Sequence, residues 1–258
     1  MDEQKWVSNL VIVRHGESFR NEARAQAELR NEEVYGGETR DMDVELTERG
    51  RHQADQTGER LRGRLGFDFD RAFASPYRRT VQTAERIVAG LGRPVETILD
   101  ERIREKEFGV LDGLTKLGLQ RRFPEEAARK NREGKYYYRP IAGESYPDVN
   151  QRVHTFLGML IRECRAQSVL VVCHSVIVLS FRRLLERLSE QELLAIDQDK
   201  EKEPRNCGFT WYRFDASQGA RGKLALETYN VTLYDQSLAT HEPSRPAEME
   251  RQQPPESR

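Results

Sequence analysis

VIVRHGES, residues 11–18, decides how the rest of the chain is read. With Leu10 ahead of it, the run from Leu10 to Val13 is apolar on both faces, as expected of a strand covered on both sides in a parallel sheet. The chain then turns abruptly to Arg14, His15, Gly16 and Glu17. A buried strand ending this way carries an arginine and a histidine to the sheet edge where open α/β sheets bind ligands. A second buried strand, SVLVVC (168–173), runs into His174. The two histidines are therefore expected at one edge of one sheet.

Outward from these strands the pattern alternates. Thr47 caps a helix running to about Leu65, with Ala54, Leu61 and Leu65 on its inner side. RAFASP (71–76) reads as a short strand followed by a helix start, Ser75 as N-cap and Pro76 at the first position. That helix carries Val81, Ala84, Ile87, Val88 and Leu91 and stops at Gly92 and Pro94. VETIL (95–99) is the next strand. Val149, Val153, Phe156, Leu157, Leu160, Ile161 and Cys164 trace the stripe of a long helix, and another covers 176–188. GFTWYRF and KLALETYNV read as two late strands, an edge hairpin. Residues 22–43 hold too many turn formers for a continuous helix. Residues 100–144 read as a loop-and-short-helix excursion, the natural place for substrate-contacting structure.

Strand–helix alternation of this kind implies an α/β fold. The expected architecture is a single three-layer α/β/α domain over residues 7–235, its mostly parallel central sheet covered by helices on both faces. From Gln236 the composition changes to four prolines and few apolar residues, so 236–258 is expected to be a disordered tail.

The bulk numbers narrow the function. Lys plus Arg total 42 against 43 Asp plus Glu, a net charge of −1 over 258 residues. That balance argues against the broad basic face of a nucleic-acid or membrane-surface protein. The acidic start MDEQKWVSNL lacks the apolar run of a signal peptide, and no window reaches the roughly 18 apolar residues of a membrane span. Cys164, Cys173 and Cys207 form no CxxC pair and read as reduced core residues. A cytoplasmic protein is expected. His52, His154 and His241 offer no HxH or HExxH spacing, so neither metal nor cofactor is expected.

Histidine and arginine without a metal point to phosphoryl chemistry. Arginine presents a fixed fork of donors that matches phosphate oxygens. Neutral imidazole can attack phosphorus and become a phosphohistidine, dividing one displacement into two. Neighbouring arginines neutralise the phosphate oxygens and hold the imidazole unprotonated. A carboxylic acid must protonate the leaving alkoxide. Arg78 and Arg79 are further clamp candidates, and spacing alone leaves the acid open among Glu101, Glu105 and Glu107.

Six blocks narrow the choice: VIVRHGESFRN, LTERGRHQA, ASPYRRTVQTAE, RIREKEFGVLDG, GESYPDVNQRV and VLVVCHS. They occur in the order shown by the histidine phosphatase superfamily, in its phosphoglycerate mutase-like branch, and the resemblance covers roughly residues 8 to 190. It implies His15 as nucleophile, Arg14 as its phosphate-binding neighbour and Asn21 as a phosphate-side amide. It selects Arg79 over Arg78, Glu105 as proton donor and later base, and His174 as the second phosphate-pocket histidine.

From residue 105 to 182 the chain most resembles the bisphosphatase half of the bifunctional fructose-2,6-bisphosphate enzymes. Lys135 and Tyr146 match sugar-phosphate contacts of that group, and Arg129 or Arg132 corresponds to an arginine. The group's tyrosine after "LT" is Lys116 here, its glutamine after the second histidine is Ser175, and its following arginine is Leu179. Each lost arginine–phosphate contact costs about 1.5–3 kcal/mol, roughly tenfold to a hundredfold in affinity. Lys116 is a candidate replacement. Broad-range acid phosphatases of the superfamily carry the same blocks and tolerate those losses. No Walker motif, hence no kinase half, is present. Tyr136 to Tyr138 either touch substrate or pack a loop against the sheet.

The expected activity is metal-independent hydrolysis of phosphomonoesters of small metabolites through phospho-His15, the partner being a small phosphorylated metabolite. The alternatives are a specific fructose-2,6-bisphosphatase, a phosphoglycerate mutase and a phospho-ligand binding protein without catalysis. Mutases of the family carry a basic, proline-containing segment before the GES block, whereas in RRFPEE here the proline is followed by two acids. Lid closure by residues 22–43 and 112–145 and assembly into a homodimer are open at this stage.

Overall fold

The computed structural model describes residues 4–219 and 222–240. In chain order they form β1 (Asn9–Arg14), α1 (Phe19–Leu29), α2 (Glu48–Leu65), β2 (Arg71–Ala74), α3 (Arg78–Gly90) and β3 (Thr97–Leu99). There follow α4 (Lys116–Arg122), α5 (Pro124–Tyr137), α6 (Tyr146–Glu163), β4 (Ser168–Cys173), α7 (Ser175–Leu185), α8 (Glu190–Gln198), β5 (Phe209–Asp215) and β6 (Lys223–Val231).

Alternation along the central strands builds the layers. In β1 and β4, Leu10, Ile12, Val169 and Val171 face one side, where they pack with Val149, Val153 and Phe156 of α6 and Phe181 of α7. Val11, Val13, Leu170 and Val172 face the other, against Ala54 and Leu61 of α2 and Ala84 and Ile87 of α3. All of these are buried to within a few per cent. At about 1.5–3 kcal/mol per buried aliphatic side chain, these two faces supply the main drive to fold.

The sheet order is β3-β2-β4-β1-β5-β6. The first four strands are mutually parallel, and β5 and β6 close the edge as an antiparallel hairpin. The mostly parallel sheet with helices on both faces is the architecture expected from the sequence. One register fixes the site: Arg14 pairs with Cys173, so the next residues, His15 and His174, leave adjacent strands side by side.

The chain departs from the sequence reading in four places. Residues 22–43 form no continuous helix, as expected, but their first part, to Leu29, belongs to α1, because Ser18 and Asn21 form a reciprocal capping box that nucleates it before the turn formers begin. Ser75 does not cap α3. The N-cap is Tyr77, whose side chain makes no cap hydrogen bond, and the Ser75 hydroxyl is turned to His174 instead. The 100–144 excursion carries a 14-residue helix, α5, kinked at Gly134. The expected tail begins too early: Gln236–Leu238 form a 3-10 turn whose Leu238 carbonyl accepts from Gln53 at 2.7 Å. Residues 241–258, His241 among them, lie outside the described residues.

Candidate active site

His15 is the first residue past β1, and its backbone N–H donates to the Cys173 carbonyl at 2.9 Å. Close packing holds the turn that follows. A Cβ on Gly50 would lie 1.9 Å from the Glu17 carbonyl oxygen, so the first turn of α2 rests directly on the RHGE backbone. His15 itself is 4% exposed. Its Nδ1 lies 2.7 Å from the Gly16 carbonyl, which only accepts, so Nδ1 carries the proton and Nε2 carries the lone pair. Burial, then the charges of Arg79 and Arg14, push its pKa well below the usual histidine value. In this tautomer the lone pair lies on Nε2.

His174 is fully buried beside it, the two ring centroids 5.2 Å apart and the rings edge to face. Its Nε2 is 2.8 Å from the Ser75 hydroxyl, and the Tyr77 ring packs edge-on at 5.0 Å. Its buried Nδ1 has no hydrogen-bond partner among the described residues. Burial first, and then the charge of Arg79, drive its pKa well down too.

The two arginines are held from outside. Arg14, 5% exposed, donates from Nη1 to the Pro204 carbonyl at 2.7 Å. Arg79, 4% exposed on the first turn of α3, grips Asp41. Its Nη1 donates to the Asp41 carbonyl at 2.6 Å and to Oδ1 at 3.0 Å, and its Nη2 donates to Oδ2 at 3.1 Å. Arg78 points out of the helix and pairs with Glu45 at 3.3 Å. Asn21 uses its Oδ1 to accept from the Ser18 N–H and hydroxyl, so its cap role occupies the carbonyl oxygen rather than the Nδ2 amide.

Of the three carboxylates that spacing left open, Glu101 and Glu107 are exposed and Glu105 is not. Desolvation raises the Glu105 pKa above the ordinary carboxyl value, only partly offset by the Lys106 N–H, which donates to it at 2.8 Å. A raised carboxyl is a proton donor at mildly acid pH. Arg152 of α6 sets its backbone. The guanidinium donates to the carbonyls of Arg102, Arg104 and Glu105 at 2.8, 2.7 and 3.1 Å and is itself gripped by Glu144.

The expected substrate contacts divide. Lys116 is exposed at the start of α4. Lys135 pairs with Asp197 of α8, a carboxylate that also accepts from the Tyr146 hydroxyl at 2.9 Å. Tyr146 is 1% exposed and stacks on Tyr136 at 5.8 Å, and the Lys106 ammonium sits 5.3 Å over its ring. Arg129 is taken by Glu126 and the Arg139 carbonyl. Leu179 is wholly buried in the core on the α6–α7 side. In the tyrosine triplet, Tyr136 packs in that core and Tyr138 donates to Glu126, while Tyr137 is exposed.

Sequence reading missed Asp41, Ser75, Tyr77, Arg152 and Asn206, whose Nδ2 donates to the His15 carbonyl at 3.0 Å. Ser75 carried a signal that was spent on the wrong partner, because serine before proline is also a helix start. The others come from loops or helix faces whose approach no local period encodes. Among the described residues no group of three or more His, Cys, Asp and Glu is placed to hold a metal ion. None of the helices there is long and apolar enough to cross a membrane.

Comparison with known proteins shows the family to which the chain belongs. The chain is 35% identical over 197 residues to a 2,3-bisphosphoglycerate-dependent phosphoglycerate mutase of Rhizobium etli, covering 74% of this chain and 86% of that one. It is 34% identical over 224 residues to the protein of the same name from Brucella melitensis, covering 84% and 97%. A mycobacterial glucosyl-3-phosphoglycerate phosphatase, solved with inorganic phosphate, shares the fold at a TM-score of 0.65 and 22% identity, over 88% of this chain and 99% of that one. The model of the histidine phosphatase superfamily (branch 1) matches residues 10–225. The chain with His15 and His174 at one sheet edge is a member of the histidine phosphatase superfamily.

Proposed function

We propose that the protein is a metal-independent phosphomonoesterase of small phosphorylated metabolites. The observation that carries this is the pair of buried, neutral histidines at the ends of β1 and β4, with the Arg14 and Arg79 charges acting on His15. In the first step the His15 Nε2 lone pair attacks phosphorus while Arg14 and Arg79 neutralise the non-bridging oxygens. The P–O ester bond breaks, and the leaving alkoxide takes the proton of the Glu105 carboxyl. In the second step the Glu105 carboxylate removes a proton from water, the hydroxide attacks phosphorus, and the P–N bond to His15 breaks. His174 Nδ1 and Asn21 Nδ2 remain for the phosphate oxygens.

Substrates with a second anionic group fit the surroundings of Glu105. Lys106 is 8% exposed, and burial together with Lys130 and Lys135 brings its pKa down to about 8. Cations close enough to depress one another gain from an added anion. Lys135 and Tyr146 belong to this region, through Asp197 and the Lys106 ammonium over the Tyr146 ring.

A mutase reading is favoured by the names of the 34–35% identical relatives. Against it stands the acidic start of α5, where Glu126 accepts from Arg129 and Tyr138. The assay is phosphate release in EDTA from p-nitrophenyl phosphate, fructose-2,6-bisphosphate and 3-phosphoglycerate, with 2-phosphoglycerate formation followed in parallel. Phosphate release lost in His15→Ala supports the phosphatase. Isomerisation outpacing release would replace it with the mutase.

A further inference from the structure

Asp41 holds Arg79 by three hydrogen bonds, and the count of donors says what this contact does. A guanidinium has five N–H groups. Asp41 takes both of those on Nη1, through its carbonyl and Oδ1, and one on Nη2, through Oδ2. What remains is the Nε hydrogen and one Nη2 hydrogen, the side edge of the fork, which suits two oxygens of a phosphate. Asp41 is itself anchored: Arg20 of α1 lies 3.1 Å from its Oδ1 through Nε and reaches Asp112 through Nη2. Asp112 closes the 3-10 turn Gly109–Leu111 that follows the Glu105 loop.

We propose that Asp41 is the positioning residue of the phosphate clamp, held in turn by Arg20 and Asp112, so that one charged relay aligns Arg79 from α1, the Asp41 turn and the Glu105 loop together. The relay answers a physical problem. Arg14 and Arg79 both act on His15 in a buried space, so Arg79 is repelled toward solvent unless an anion holds it from behind. Asp41 supplies that anion without covering the edge that meets phosphate. The same carboxylate also faces Glu105 and helps keep it protonated.

This inference rests on the proposed phosphate site and makes a signed claim. An acid that merely competed with phosphate for Arg79 would, when neutralised, tighten phosphate binding. An acid that positions Arg79 would, when neutralised, loosen it. The test is calorimetric binding of orthophosphate to the full chain, wild type against Asp41→Asn and Arg20→Gln, with thermal melts to show that each variant is folded. Asp41→Asn should weaken orthophosphate about tenfold (about 1.4 kcal/mol) and Arg20→Gln less, while Asp41→Glu regains part of the loss. In turnover, Asp41→Asn should also move the alkaline limb of the pH profile downward, an effect outside the reach of a merely structural role. Unchanged or tighter binding by a folded Asp41→Asn overturns the positioning role and leaves the phosphatase reading intact. No orthophosphate binding by the wild type overturns both.

Discussion

Two cationic regions meet near Glu105, and they are built differently. The region at the ends of β1 and β4 uses arginine and neutral histidine, with Arg79 balanced by Asp41 behind it. The region between α5, α6 and α8 uses lysine, with the buried carboxylate of Asp197 inside it holding Lys135 and Tyr146. Arginine keeps its charge when buried, whereas lysine gives it up. Under the proposed function the first region is a fixed anion clamp beside the nucleophile. The second is adjustable, with Lys106 already down to about 8. On that proposal the contrast separates chemistry from selection: a clamp that must work in every turnover, and a neighbouring site that chooses which ester is held.

The comparison breaks if the chemistry does not depend on the first region. His15→Ala should remove turnover, a loss of at least about 10⁴-fold in kcat, as expected when the nucleophile of a two-step mechanism is deleted. Glu105→Gln should cost about 10²- to 10⁴-fold on alkyl phosphates and less on p-nitrophenyl phosphate, whose leaving group needs no proton. Its pH profile is equally informative. His15, pushed below the ordinary histidine value, must be unprotonated to attack, so activity falls toward acid as the ring gains a proton. Glu105, raised above the ordinary carboxyl value, must be protonated to donate, so activity falls toward alkali as it ionises. The wild type should therefore show a bell with an acid-side optimum, and Glu105→Gln should lose the alkaline limb.

The second region should respond in stability and selectivity. Asp197→Ala removes the carboxylate shared by the Lys135 ammonium and the Tyr146 hydroxyl, and losing a charged hydrogen-bond partner there costs about 1–3 kcal/mol, measurable by urea titration. Lys106→Met keeps the apolar stem and removes the charge. It should raise KM about tenfold for a doubly anionic ester and leave p-nitrophenyl phosphate nearly unchanged. For the same reason, KM of the wild type for a doubly anionic ester should rise as pH passes about 8. Equal responses from the two esters would erase the distinction between the regions.

How legible each part was follows from where its information lies. The central strands announce themselves because burial on both faces leaves an unbroken apolar run, and two such runs ending in histidine define the edge. Registry then does the rest: Arg14 opposite Cys173 makes His15 and His174 neighbours. The helix α1 was missed because its start depends on a reciprocal cap, Ser18 with Asn21, which a count of turn formers passes over. Asp41, Arg152 and Asn206 were missed because they act on backbone or charge belonging to distant segments. Asp41 reaches Arg79 across 38 positions and Asn206 reaches His15 across 191. Lys135 and Tyr146 were picked out by resemblance, and the structure adds the carboxylate between them.

The central claim is a phosphoryl group carried by His15, and rapid quench tests it most directly. The protein is mixed with a ³²P-labelled phosphomonoester found to release phosphate in the assay above, stopped with alkali within milliseconds, and digested for peptide mapping. An acid-labile, alkali-stable label is expected on the peptide containing His15, formed before phosphate is released and absent from His15→Ala. Steady phosphate release with no labelled peptide, or a label retained in His15→Ala, would contradict it.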